Sequence, residues 1–150
     1  MNILLIYATN SGTTQTVADM INNLLAQSGQ TVTMKYVSDV TPDMFGQYDL
    51  VILGSPSWDY EGKEGQPHDH YLPLFEASKG KTFEGKKFAV FGLGDQSYAI
   101  FCGAVDHLEN YVKSMHGTLV TPSLRIDNYY STTDTSNAAI EEWVKKLITT

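Results

Sequence analysis

From Asn2 to Thr14 the chain runs Asn2-Ile-Leu-Leu-Ile-Tyr7-Ala8-Thr9-Asn10-Ser11-Gly12-Thr13-Thr14, an apolar stretch followed at once by a small polar turn. The unbroken run from Ile3 to Ala8 has the pattern of a central strand buried on both faces of a sheet. Beyond the turn, Val17, Ile21, Leu24 and Leu25 recur at i, i+4, i+7 and i+8, one face of a helix that Gly29 can terminate. A buried strand leading through a polar loop into an amphipathic helix is the opening half of a β-α-β unit.

The same alternation continues outward from this unit. Thr31 to Val37 alternates in polarity as a strand nearer the sheet edge would, and Thr41-Pro42-Asp43 supplies a cap and a first-turn proline for a short helix or turn. Leu50-Val-Ile-Leu53 is a second buried strand, ended by Gly54 and Pro56. Asp59 to Asp69 reads as a polar, glycine-containing loop. A helix is expected from about Tyr71, with Pro73 in its first turn and Leu74 and Phe75 facing inward. Phe88 to Leu93 is a fourth strand. Phe101, Val105, Leu108, Val112 and Met115 form a helical stripe ended by Gly117, and Thr118 to Ile126 contains a fifth strand. Asp134 and Thr135 can cap a last helix that buries Ile140, Trp143, Val144, Leu147 and Ile148. Regular β-α alternation implies a parallel sheet with right-handed crossovers and helices on both faces. Ligands of such sheets sit beyond the carboxyl ends of the strands, where the winding direction reverses.

Composition restricts the function classes. The 150 residues are 42% hydrophobic and 18% charged, the balance of one globular domain spanning residues 1–150. A formal net charge of −7 argues against nucleic acid and anionic membranes and favours a partner with a basic face. One cysteine, Cys102, rules out an internal disulfide, and the opening apolar run is too short for a signal peptide or membrane span, so the cytoplasm is the expected location. Up to Gly62 the only Lys or Arg is Lys35, so an anion bound in this half must be held by backbone amides and hydroxyls.

Three loops follow strands at the same edge. Thr9-Asn10-Ser11-Gly12-Thr13-Thr14 offers hydroxyls, an amide and a glycine at a helix start, a setting suited to phosphate because amides and the helix dipole point at the ligand. It lacks the Gly-Lys-Ser/Thr ending of a nucleoside-triphosphate loop. Gly54-Ser55-Pro56-Ser57-Trp58-Asp59-Tyr60 places a Trp at a loop tip. Gly92-Leu93-Gly94-Asp95-Gln96-Ser97-Tyr98 adds a second aromatic beside a carboxylate, with Ser97 where a dinucleotide fingerprint would need glycine. Two loop aromatics can sandwich a flat ring, each stacked pair adding roughly 0.5–1.5 kcal/mol beyond area burial. A phosphate cradle, two aromatic plates and an edge acceptor together match flavin mononucleotide, FMN.

With Tyr98-Ala-Ile-Phe-Cys102-Gly-Ala-Val-Asp106 added, the whole chain resembles the flavodoxins, and their short-chain type, since no insertion of about twenty residues breaks the last strand. The sheet order 2-1-3-4-5 is the flavodoxin order itself and comes from that resemblance. The resemblance implies a five-stranded flavodoxin-like fold and a low-potential, one-electron carrier using non-covalent FMN, not itself an enzyme. It also implies that Thr9, Asn10, Ser11, Gly12, Thr13 and Thr14 hold the phosphate. Trp58 would cover the inner face of the isoalloxazine and Tyr98 the outer. Asp95 and the Cys102 amide would meet the pyrimidine edge, and Ser57 would lie near the ribityl chain. Ser55, Pro56, Asp59, Tyr60, Gly94 and Phe101 complete the implied cofactor-binding set. Three positions depart from the family pattern: Pro56 has no amide to donate, Ile100 replaces a frequent Tyr, and Asp59 stands where Gly is frequent. In relatives the peptide after the loop Trp turns over on reduction, which needs positive φ at this residue.

The partners implied are redox enzymes with basic docking faces, flavodoxin-reductase-like donors and their acceptors, met by a monomer. An FMN-dependent quinone reductase of the same fold is the alternative; such proteins usually carry extra segments or oligomer contacts that complete a substrate pocket. A signalling receiver needs acidic residues after strands one and three, where Ala8-Thr9 and Gly54-Ser55 stand. His68-Asp69-His70 is a single pair of imidazoles on a polar loop and falls short of a metal-ligand set, so no metal is expected.

Overall fold

A computed structural model describes residues 1–150 except 11, 61–62, 95–101 and 150, and describes no side chains at 58–60, 63–64 and 131. Its core is a parallel sheet. β1 (Asn2–Tyr7) lies between β2 (Thr31–Tyr36) and β3 (Leu50–Pro56), β3 pairs with β6 (Lys87–Gly94), and β6 carries both β7 (Thr118–Leu119) and β8 (Leu124–Asp127) on its far side. The path β2-β1-β3-β6 followed by the last strand position is the expected order. Winding reverses between β1 and β3, and there the strand ends diverge into a crevice.

Alternating side chains of β1 feed two separate cores. Ile3 and Leu5 pack with Val17, Ile21 and Leu25 of α1 (Thr13–Gln27) and with Ile140, Trp143, Val144 and Leu147 of α4 (Thr133–Ile148). Leu4 and Ile6 face Tyr71 and Leu74 near α2 (Leu72–Ala77) and Val105, Leu108 and Val112 of α3 (Gly103–Ser114). Period two in the strand and period 3.6 in the helices thus meet on both faces, as the sequence pattern requires.

Four local differences from the sequence expectation have physical causes. The fifth strand is divided by four residues because Pro122 has no N–H for the ladder; the pairing ends after Val120 donates to the Phe88 carbonyl at 3.0 Å. β3 does not end at Gly54 but continues through Pro56, and Gly54 is required by a close approach: a Cβ there would stand 2.0 Å from Cζ of Phe91. The polar loop after β3 contains a two-stranded antiparallel ribbon, β4 (Trp58–Tyr60) and β5 (Lys63–Gln66). Finally, α4 starts with Thr132 as its N-cap residue, two residues before the expected Asp134, and the Thr132 hydroxyl bonds the Asp127 carbonyl at 2.8 Å. The turn expected at Thr41-Pro42-Asp43 is a 3₁₀ helix, Pro42–Gln47. Among the described residues no helix is long and apolar enough to cross a membrane.

Candidate functional site

Beyond the carboxyl ends of β1, β3, β6 and β8 lies an open cleft of about 230 Å³. Thr9, Asn10, Thr13 and Thr14 form its floor at the start of α1. The turn is shaped by Gly12, whose φ of 93° lies in the left-handed region that glycine adopts without strain, and whose amide donates to the Thr9 hydroxyl at 2.9 Å. Among the described residues no side chain caps this end of α1, and its first turn holds no acid. Its leading N–H groups and the positive end of the dipole therefore remain available to an anion.

Thr14 sharpens this point. It is 1% exposed, lines the cleft, and its hydroxyl has no hydrogen bond among the described residues. A buried hydroxyl without a partner costs about 1–3 kcal/mol, which a group entering the cleft and accepting from it would offset. A phosphate, rich in acceptor oxygens, fits that donor.

Pro56 and Ser57 form the adjacent wall after β3. Ser57 is held by two contacts, its amide donating to the Leu93 carbonyl at 2.9 Å and its hydroxyl accepting from the Ala104 amide at 3.0 Å. Ser55 lies behind this wall, fully buried, with its hydroxyl donating to the Pro56 carbonyl and accepting from the His68 amide at 2.9 Å. The backbone of Trp58, Asp59 and Tyr60 forms β4, while their side chains, together with Ser11, Asp95, Tyr98 and Phe101, lie outside the described residues.

Leu93 and Gly94 line the cleft at the end of β6. A Cβ on Gly94 would come within 2.9 Å of the Cys102 amide nitrogen, so glycine lets the α3 start close onto this strand. Cys102 precedes α3 in a left-handed conformation, φ 49°, and its amide has no partner among the described residues. Its thiol is fully buried, 3.6 Å from the Ile126 carbonyl oxygen. Burial pushes that thiol up to about 12, with only partial relief from Arg125, so it is no nucleophile at neutral pH.

A fourth segment joins the site, one that the three-loop pattern did not include. Asn128, Tyr129 and Tyr130, directly after β8, close the remaining side of the cleft. The signal was available, since the ends of the neighbouring strands β1, β3 and β6 each contribute a wall.

Behind the floor, Tyr36, His68, Asp69 and His70 gather. The Tyr36 hydroxyl lies 2.6 Å from Nδ1 of His70 and 3.4 Å from the Thr9 carbonyl. Ligand atoms of His68, Asp69 and His70 fall within 4.8 Å of one another, closer than the sequence suggested. Nδ1 of His68 already accepts from the His70 amide at 3.1 Å and lies 3.1 Å from Asp69. Burial, and then His70, push the His68 pKa down, partly offset by Asp69. These rings are committed to bracing the loops.

A doubly wound parallel sheet whose helix start, uncapped among the described residues, lies at its switch point is an α/β domain suited to an anionic ligand there. The chain belongs to the flavodoxin family, whose family model matches residues 5–143. It is 41% identical over 127 residues to probable flavodoxin 2 of Bacillus subtilis (strain 168), covering 84% of this chain and 82% of that protein. The crystal structure of oxidised flavodoxin 2 from Bacillus cereus superposes with a TM-score of 0.86 at 26% identity, over 97% of each chain. The fold is also that of Fusobacterium nucleatum flavodoxin bound to flavin mononucleotide, with a TM-score of 0.82 at 19% identity over 99% of this chain and 97% of that one.

Proposed function

We propose that the cleft is the FMN site of a one-electron carrier of residues 1–150. Flavodoxins are FMN-binding electron carriers, and membership of that family carries this reading and not that of a quinone reductase. The observation that fits the cofactor to these residues is the buried Thr14 hydroxyl, without a partner among the described residues, at a helix start that no described side chain caps. Thr9, Asn10, Ser11, Gly12, Thr13 and Thr14 hold the phosphate with neutral donors. Pro56 and Ser57 flank the ribityl chain, and Gly94 lets the Cys102 amide, without a partner among the described residues, approach the ring edge beside Asp95. Trp58 and Tyr98 cover the ring faces, with Ser55, Asp59, Tyr60 and Phe101 in supporting positions. FMN supplies the redox chemistry when bound; the protein binds it, orients it and sets the field around it.

The −7 net charge suits redox enzymes with basic docking faces, met by a monomer in the cytoplasm. Titration of the apoprotein should show one FMN bound per chain. Thr14→Val, which keeps the shape and removes the hydroxyl, should weaken FMN by about 1–2 kcal/mol and leave riboflavin unchanged. Trp58→Ala and Tyr98→Ala should weaken both flavins by about 1–3 kcal/mol each. A protein that ignores added FMN would overturn the assignment.

A further inference from the structure

Tyr130 is exposed in a way that its surroundings do not explain. It is 66% exposed, the most open of the large hydrophobic side chains among the described residues, and it stands on the cleft rather than on an outer face. The loop that carries it is firmly placed. The Asn128 amide donates to the Gly94 carbonyl at 2.8 Å, and Tyr129 is buried with its hydroxyl donating to Oδ1 of Asn137 at 2.8 Å. Tyr130 leans edge-on against Tyr129, ring centroids 5.4 Å apart, and its own hydroxyl has no partner among the described residues. A braced backbone therefore presents an aromatic ring and an unused donor to the same cleft as Thr9, Asn10, Thr13 and Thr14.

We propose that Tyr130 is a fourth contributor to the cofactor site, closing the phosphate end of the cleft and donating a hydrogen bond to the phosphate. The inference rests on the FMN assignment above and extends it to a segment outside the three loops. The chemistry of the anion favours it. A phosphate dianion in a cleft with no cation among its described lining needs many neutral donors, and a phenol is a stronger one than an aliphatic hydroxyl. Arg125, on the adjoining strand, is already engaged by Asp106 at 2.7 Å and the Cys102 carbonyl at 3.1 Å, so it does not supply the missing charge.

The test compares FMN with riboflavin, which lacks the phosphate. Apoprotein of wild type, Tyr130→Phe and Tyr130→Ala would be titrated with each flavin, following quenching of flavin fluorescence. Tyr130→Phe keeps the ring and should raise the FMN dissociation constant roughly threefold to thirtyfold, with riboflavin unchanged within about twofold. Tyr130→Ala should weaken FMN at least as much. Equal losses for both flavins, or no loss for either, would overturn the phosphate contact and leave Tyr130 a rim residue. Wild-type protein that binds neither flavin would overturn the FMN assignment itself, a separate failure visible before any variant is made. Because the side chain is largely exposed, neither substitution threatens the fold.

Discussion

Cys102 shows how much one position can disclose. A lone cysteine at the head of an apolar helical stripe reads from sequence as a small buried side chain, and it is fully buried. Its left-handed backbone was not legible, because no local pattern demands φ of 49° there, nor was the close approach of its amide to Gly94 across the gap. With its pKa pushed up to about 12, the folded protein keeps the thiol neutral, and a thiol reagent at pH 8 should label it only after unfolding. Up to the ordinary thiol pKa, both states are protonated and Cys102 adds no pH dependence. Above it the unfolded chain ionises while the folded one does not, so stability falls as pH rises toward the folded value. Cys102→Ala should flatten the decline between about pH 9 and 10, read from urea midpoints. Tyr71 and Tyr111, also raised by burial, act mainly above that window. Equal slopes for wild type and variant would place the effect elsewhere.

Among the elements, the long helices were legible and the ribbon was not. α1, α3 and α4 carry stripes of apolar residues at helical spacing and fall where those stripes lie. The β4–β5 ribbon spells Trp58-Asp-Tyr-Glu-Gly-Lys-Glu-Gly-Gln66, without apolar alternation, so the segment read as a polar loop. Trp58 faces Gln66 and Tyr60 faces Lys63, a register shift that leaves Asp59 at an irregular point of the ladder. Asp59 lies within the extended strand β4, and positive φ occurs at Cys102, His116 and Asn128 among the described non-glycine residues. If its peptide turns over on reduction as in relatives, Asp59 must enter the left-handed region, at roughly 1–2 kcal/mol for a residue with a β-carbon. At 59 mV per tenfold change, Asp59→Gly should raise the first one-electron potential by about 40–90 mV. Asp59→Asn, which removes charge and keeps the β-carbon, is the control. An equal shift in both variants would assign the effect to charge.

At the scale of the whole molecule, charge and cleft set an unusual binding problem. The sheet and its switch point were legible because strand and helix periods alternate along the entire chain, whereas the Asn128–Tyr130 wall was missed because it carries no motif and enters only through topology. The same topology brings an anionic cofactor into an anionic protein. Up to Gly62 only Lys35 opposes Asp19, Asp39, Asp43, Asp49, Asp59 and Glu61, and the chain as a whole carries −7. On the proposed assignment, an approaching phosphate is repelled at long range and captured at short range by neutral donors. Salt screens the first and barely touches the second, the Debye length shrinking from about 30 Å at 0.01 M to about 10 Å at 0.1 M. FMN association should therefore quicken on the order of two- to tenfold as ionic strength rises over that range, against the usual behaviour of phosphate sites. Riboflavin, which is uncharged, should associate at a rate independent of salt. Docking to a basic redox enzyme should show the opposite slope, since there the attraction is what salt weakens. Stopped-flow mixing of apoprotein with each flavin separates these cases. An FMN rate that falls with salt would mean that a cation guides the phosphate, and the neutral cradle built from Thr9 to Thr14 would have to be abandoned.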